Sequence, residues 1–216
     1  MAISFNDSPY ESLSPALRRH VESRLRRRAF HKGQHLYTTG MEHQGLFWFR
    51  SGIALSYKTT DDGDYDIAVP IYRGVWTAPS FVNGQHAMSQ VAMTTCVVDS
   101  IDPDASASLA QDREFMKLIS AWCAEDFSLL VSASATINQG RAEDKILSYV
   151  RNAIKISRND PNADETTMTG ELEWPFTISQ MARFTRFSRP HLSLVLSNLA
   201  ADQRLEIGNG RLVLHY

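Results

Sequence analysis

The hydrophobic positions of this chain change their spacing three times, and each change marks a different kind of element. Leu17, Val21 and Leu25 recur every four residues behind Ser14 and Pro15. A capping residue followed by a first-turn proline predicts a short helix there. Arg18, Arg19, Arg24, Arg26, Arg27 and Arg28 surround the stripe. A basic helix can lie on a membrane or on nucleic acid, but three apolar residues bury little area, so a solvated lid on the next domain is the favoured reading. From about Phe30 to Ile101 the spacing shortens. Runs rich in β-branched and aromatic residues (HLYTTG, GLFWFRSG, IALSYKTT, YDIAVPIY, VAMTTCVVDSI) alternate with Gly33, Gly40, Gly52, Gly63, Gly74 and Gly84. That punctuation predicts an antiparallel barrel or sandwich. Asp61, Asp62, Gly63 and Asp64 read as a hairpin turn, since glycine takes positive φ at little steric cost. With Asp66 they lack the rest of an EF-hand pattern, so an acidic turn is read in preference to a calcium site.

The third pattern is a heptad. Met116, Ser120, Cys123, Phe127, Leu130, Ser134 and Ile137 recur at alternating steps of four and three within a helix predicted from about Gln111 to Gln139, the period of a coiled-coil seam. Phe115, Leu118, Ile119 and Trp122 make a second apolar face. Two apolar faces need two covers: the helix's own domain and a partner subunit, or a monomer that buries both. After Gly140, read as a hinge, Ile146, Leu147, Val150 and Ile154 predict an amphipathic helix over Arg141 to Ile156. The polar stretch Ser157 to Gly170 reads as a loop.

The last segment predicts three small elements in a row. Thr177 caps a helix over Ile178 to Phe184, with Ile178, Met181 and Ala182 expected inward. After the break Thr185-Arg186-Phe187, Ser188 caps a second helix with Pro190 in its first turn, and Leu192, Val195, Leu196 and Leu199 form its core stripe. Arg204 to His215 then reads as strand, Gly-Asn-Gly turn, strand. Two short helices joined by a tight turn make a helix-turn-helix, whose second helix can lie in the major groove; the hairpin reads as its wing.

Charge sharpens that reading. The chain has 216 residues, 43% hydrophobic and 21% charged, and a formal net charge of -2. It is no polycation, so a nucleic-acid site must be a local basic patch. From Trp174 through Ala201 there is no Asp or Glu, while Arg183, Arg186, Arg189 and His191 are present. A surface facing phosphate excludes carboxylates, which would oppose counterion release. The start of the chain lacks a signal-peptide pattern, no apolar run is long enough to span a bilayer, and two distant cysteines make no disulfide framework or metal knuckle, so a cytoplasmic, non-membrane protein is expected. No Ser-His-Asp, P-loop, HExxH or GxGxxG arrangement points to an enzyme.

The stretch from Thr177 to Leu199 (TISQMARFTRFSRPHLSLVLSNL) resembles the CRP/FNR family of bacterial regulators, and the resemblance runs over nearly the whole chain. It implies an α+β fold: an N-terminal antiparallel β-roll, similar to a cyclic-nucleotide-binding domain, over residues 1–110; a long dimerisation helix over 111–139; and a C-terminal winged helix-turn-helix DNA-binding domain over 140–216. It implies a homodimer on a pseudo-palindromic double-stranded DNA operator, with RNA polymerase as a further partner. Arg189 matches the family's recognition-helix arginine, which reads a guanine edge by bidentate contact. Thr177, Ser179, Ser188 and His191 match phosphate-contacting positions, and Ser193 lies beside them. Pro190 stands where the family often has a base-reading glutamate, Leu194 where it often has a second arginine, and Arg186 replaces a small turn residue. The half-site read is therefore expected to differ from the family's common one.

The same comparison bears on the sensor half. Trp76, Ala78, Pro79, Phe81, Met88 and Ser89 fall where cyclic-nucleotide-binding members hold their ligand, yet Ala78 or Pro79 replaces the ribose-binding glutamate and Met88 the phosphate-binding arginine. A buried cyclic phosphate without a cation is costly, so cyclic AMP is not expected to bind in the usual way, and an apolar or filled pocket is expected instead. No metal or cofactor is expected. Two cysteines cannot hold an iron–sulfur cluster, and His31, His35, His43 and His86 read as unliganded strand histidines. Cys123, on the heptad stripe, is read as a small buried hydrophobe before a redox switch. The competing class is a ligand sensor whose winged helix contacts proteins.

Overall fold

The computed structural model describes residues 10–61, 65–72, 76–77, 84–124, 140–158 and 168–215. They fall into two compact units, one drawn from residues 1–58 and 70–128, the other from 59–69 and 129–216. The tip of the predicted acidic turn, Asp62 to Asp64, lies outside the described residues, as do Phe127, Leu130, Ser134 and Ile137 of the heptad stripe.

The first unit opens with helix α1 (Pro15–Arg24). Ser14 holds the N-cap position, but its hydroxyl donates to Glu114 Oε2 at 2.9 Å rather than capping the helix. The helix stops at Arg24 because Leu25 is extended, at φ -67° and ψ 135°. Arg26, Arg27 and Arg28, expected around the helix, instead belong to strand β1 (Arg26–Phe30), where Arg27 pairs in register with Asp99. The strands that follow along the chain are β2 (His35–Tyr37), β3 (Leu46–Ser51), β4 (Ala54–Thr59), β5 (Tyr65–Ile71), most of which falls in the second unit's residue range, β6 (Trp76–Thr77), β7 (Ser89–Ala92) and β8 (Cys96–Ile101). One antiparallel sheet runs β1–β8–β3–β6, and β2–β7–β4 pair in a second.

The run VAMTTCVVDSI, read as one strand, is two. The chain leaves the ladder between Ala92 and Cys96, and the Met93 and Thr94 N–H groups both donate to the Ile53 carbonyl, at 2.8 and 3.1 Å. Gly52 makes that corner possible: its φ is +90°, and a Cβ there would lie 2.4 Å from the Thr95 carbonyl oxygen. Strand β3 is buried on both faces. Phe47 and Phe49 join Phe30, Leu36, Tyr37, Ala54, Ala92, Cys96 and Val98 in one cluster. Leu46 and Trp48 join Tyr10, Leu13, Val21 and Ile101 in another. This is why GLFWF reads as a continuous apolar run instead of an alternating one.

Two helices end the unit. Helix α2 (Pro103–Leu109), which periodicity did not single out, starts at Asp102, whose side chain accepts from the Ala105 N–H at 2.8 Å. Residues 113–124 form α3, begun by Asp112, which accepts from the Glu114 and Phe115 N–H groups. Phe115, Leu118, Ile119 and Trp122 are buried against the lid and β3. On the heptad side Ser120 is exposed and Met116 and Cys123 are half-buried.

In the second unit, helix α4 (Ala142–Arg158) buries Ile146, Leu147, Val150 and Ile154. The end of the predicted loop is in fact the start of strand β9 (Gly170–Glu173). Helices α5 (Ile178–Thr185) and α6 (Arg189–Ala201) follow, then β10 (Leu205–Gly208) and β11 (Arg211–Leu214). The sheet order is β10–β11–β9. Asn209 and Gly210 form the two-residue hairpin loop, at φ 52° and 74°, the double positive φ that a type I′ turn demands. Edge-to-face aromatic contacts run from Tyr149 through Trp174 and Phe176 to Phe184, with ring centroids 6.3, 5.0 and 5.2 Å apart. They tie α4 and the segment after β9 to α5. Among the described residues no helix is long and apolar enough to cross a membrane.

Candidate nucleic-acid interface

The pair α5 and α6 is set by caps at each end. Thr177 accepts from the Gln180 N–H at 3.2 Å while the Gln180 side chain accepts from the Thr177 N–H at 2.8 Å, a reciprocal capping box. At the other end Arg186 takes left-handed backbone, φ 57° and ψ 28°. Its N–H donates to the Arg183 carbonyl at 3.3 Å, and the Phe187 N–H reaches back to the Ala182 carbonyl at 3.0 Å. This is a Schellman closure with arginine where glycine is usual. Ser188 then caps α6 by accepting from the His191 N–H at 3.4 Å, with Pro190 in the first turn.

Burial divides the candidate residues. Leu192, Val195 and Leu199 anchor α6, and Met181, Ala182 and Phe184 anchor α5; Leu196, expected in that stripe, is half-buried. Thr177, Ser179, Arg186, Ser188, Arg189, Pro190 and His191 are exposed and Ser193 is half-buried. Leu194 is 61% exposed. Ile178, expected inward, is 41% exposed, because at the first position of α5 it projects beyond the core that Met181 and Ala182 reach one turn later. Arg183 is also exposed on α5. His191 packs edge-on to Phe187, with ring centroids 5.1 Å apart. Arg186 and Arg189 form no ion pair among the described residues. By contrast, Arg211 of the hairpin pairs with Glu171 of β9 at 2.9 Å, and His215 Nε2 lies 3.4 Å from Glu206 Oε1. The cations of the turn and of the first turn of α6 thus lie on a surface whose own sequence carries no carboxylate.

The predicted effector pocket is only partly on view. The backbone of Trp76 lies in β6, opposite Trp48; its side chain and the residues Ala78, Pro79 and Phe81 lie outside the described residues. Met88 is half-buried and its sulfur receives the Ser56 hydroxyl at 3.8 Å. Ser89 is buried and its Oγ lies 3.0 Å from the Thr39 N–H and 3.1 Å from the Thr39 hydroxyl. His43 Nε2 lies 3.1 Å from Ser106 Oγ and His35 Nε2 2.9 Å from the Tyr57 hydroxyl. His86 stacks on Tyr37 at 3.6 Å and accepts from the Gln44 N–H. Burial, and then the neighbouring His43, push the His86 imidazole down to about 4, so it is neutral at physiological pH.

Comparison with known proteins places the fold. No protein-family model and no curated protein matches the sequence. Solved structures do. FixK2 from Bradyrhizobium japonicum superposes with a TM-score of 0.72 at 15% identity, over 89% of this chain and 93% of that one. The c-di-GMP-responsive global regulator CLP of Xanthomonas campestris gives 0.68 at 16%, over 94% and 100%. A CRP-family transcriptional regulator of Thermus thermophilus gives 0.66 at 18%, over 87% and 91%. The mixed helical and antiparallel-sheet fold of this chain is that of CRP/FNR-type regulators.

Proposed function

We propose that this chain is a sequence-specific regulator of transcription that binds double-stranded DNA as a homodimer, with α5, α6 and the β10–β11 hairpin acting as a winged helix-turn-helix. The observation that carries the reading is the surface formed by α5, its turn and the start of α6. Arg186 and Arg189 stand there exposed and without an ion pair among the described residues, and no acidic residue occurs from Trp174 through Ala201. Such a surface gains counterion release on meeting phosphate and meets no repulsion. In this reading Arg189, in the first turn of α6, reads a guanine edge. Thr177, Ser179, Ser188, Ser193 and His191 hold phosphates and so fix register. Exposed Leu194 meets a thymine methyl, and Arg186 in the turn adds a phosphate contact. The division into sensor (1–110), dimerisation helix (111–139) and DNA-binding domain (140–216), the RNA polymerase contact and the cytoplasmic location belong to the same proposal.

The dimer follows from α3, which spends one face on its own unit and keeps Met116, Ser120 and Cys123 at least partly outside. A two-fold dimer would present its recognition helices about 34 Å apart, one helical turn of DNA. The first unit would be the sensor, and the missing cation at position 88 argues against a cyclic phosphate as effector. The apolar pair Ile178 and Leu194, exposed on the same two helices, favours a second reading in which they seat a protein partner. Selection of bound sequences from a random duplex pool, with and without reducing agent, separates the two. The DNA reading requires a symmetric enriched motif and a steep loss of binding with salt. An unenriched pool with little salt dependence would overturn it.

A further inference from the structure

We propose that the outward ridge of α6 reads its operator by the C5-methyl groups of pyrimidines, so that 5-methylcytosine stands in for thymine and cytosine methylation strengthens binding; the inference rests on reading α5 and α6 as a helix-turn-helix. The ridge follows from helical spacing. Leu192, Val195 and Leu199 are buried. At about 3.6 residues per turn, Pro190, Leu194, Ser197 and Ala201 fall on the opposite side of the helix, and all four are exposed. Leu194 is the most exposed large hydrophobic residue among those described, at 61%. Pro190 precedes it by one helical turn, so the two make one apolar strip. The Ser197 hydroxyl donates to the Ser193 carbonyl at 2.9 Å, which keeps its hydrogen within the helix. His191 stands to the side, edge-on to Phe187. Where α6 begins, the middle of the ridge therefore offers a base no side-chain hydrogen bond, while Arg189 on its flank does.

An exposed leucine alone needs no explanation; the setting of this one decides its partner. Arg186 and Arg189 stand exposed in the turn and at the start of the same helix, and no Asp or Glu occurs from Trp174 through Ala201. An apolar strip bordered by cations fits a polyanion that carries apolar groups within reach. The major groove displays such a group, the C5-methyl of thymine. Cytosine shows a hydrogen at that carbon and an amino donor beside it, and neither Pro190 nor Leu194 has a side-chain acceptor for the donor. 5-Methylcytosine carries the same methyl at the same carbon as thymine. A strip without polar atoms forms no hydrogen bond by which to tell whether the paired purine is adenine or guanine. Thymine and 5-methylcytosine are thus equivalent to this ridge, and uracil and unmethylated cytosine are both deficient.

Fluorescence anisotropy with the full-length protein on the duplex obtained by selection tests this. Deoxyuridine replaces thymine at one position at a time, in both half-sites together, and affinity should fall at a position within each half-site. Burial of a methyl group is worth roughly fourfold in affinity, so two half-sites should lose about fifteenfold. At that position a C·G pair should bind as weakly as the uracil duplex, and 5-methylcytosine should restore the binding. Leu194→Ala should bind the thymine and uracil duplexes alike while keeping the wild-type salt slope, because the cations are untouched. Leu194→Met, which keeps an apolar side chain there, should retain the methyl effect. Three results would each overturn the proposal: uracil tolerated at every thymine; 5-methylcytosine no better than cytosine; or a Leu194→Ala protein that still distinguishes thymine from uracil, which would leave Leu194 to a protein partner. A symmetric motif bound with steep salt dependence but without a methyl effect sinks this inference alone. A pool without enrichment removes the helix-turn-helix reading along with it.

Discussion

Arg186 should trade stability for binding, and replacing it with glycine should separate the two. The residue closes α5 at φ 57° and ψ 28°. Left-handed backbone costs a residue with a Cβ roughly 1–2 kcal/mol. Glycine avoids that cost but gives up about 0.5–1 kcal/mol of additional chain entropy on folding. The difference leaves Arg186→Gly more stable by about 0.5–1 kcal/mol, which is roughly 2–8 °C in the unfolding of a small domain. The Schellman hydrogen bonds at Arg186 and Phe187 are backbone bonds and survive the change. The same substitution removes an exposed cation that has no ion pair among the described residues. Each lost phosphate contact should lower the slope of log affinity against log salt by about 0.9, so a symmetric dimer should lose nearly 2. Calorimetric melting and fluorescence anisotropy on the selected duplex across a salt series measure the two effects. Arg186→Lys should keep the wild-type slope. Arg186→Asn should lose the slope as glycine does while recovering only part of the stability, since asparagine tolerates left-handed backbone better than arginine but less well than glycine. A glycine variant that melts lower than wild type would refute the strain argument. One with an unchanged salt slope would remove Arg186 from the interface.

Arg189→Ala should weaken binding to the selected site by about 1–3 kcal/mol and relax preference at one base position; a repeat selection that returns an unchanged motif would take base reading away from Arg189. His86 ionises near 4 in the folded chain against an ordinary 6.5, so the unfolded chain takes up its proton first as pH falls. Stability should therefore be full above pH 6.5 and decline toward pH 4 by up to about 3 kcal/mol; urea unfolding across that range should show the slope, and His86→Gln should flatten it. Asp99 is buried and accepts from Arg27 Nε at 3.0 Å and Arg50 Nε at 2.5 Å. Burial alone would raise its pKa, but the two guanidiniums hold the carboxyl below its ordinary range. Because both arginines reach solvent, Asp99→Ala should cost about 1–3 kcal/mol instead of the full penalty of a broken buried pair, read as a lower urea midpoint.

What could be read from the chain depended on whether one local signal spoke alone. The strands flanked by glycine, the Asn-Gly hairpin and the helices begun by Thr177 and Ser188 all stand where capping and turn chemistry put them, because those signals act over three or four residues whatever the tertiary context. The misplacements came where two signals competed. Arg26 to Arg28 followed a helical stripe and read as helix, but a ladder partner, β8, captured them with Asp99 opposite Arg27. Asp102-Pro103 carries the same start signal as Ser14-Pro15, yet α2 went unread because its Ala and Ser residues show little hydrophobic contrast. Strand β9 hid at the end of a polar loop: of its residues only Leu172 is buried, and a strand with one inward side chain has almost no period to detect.

At the candidate site the split has a different cause. The cations of α5, its turn and α6 were legible because exposure and sign are properties of single residues, and the absence of acids over a whole segment needs no coordinates. The burial of Gln90 in the first unit was not. In the order Ser89-Gln90-Val91-Ala92 an alternating strand would turn valine inward and glutamine out, and the structure has the reverse: Val91 is half-buried and Gln90 wholly so. Register across β2 and β4 decides which face of β7 meets the core, and register is a long-range property that periodicity within one strand cannot supply. Arg186 and Gln90 therefore share one feature. Each is a residue that its local conformation or burial disfavours. Such residues are where function is to be sought once the folding requirements of the rest are accounted for.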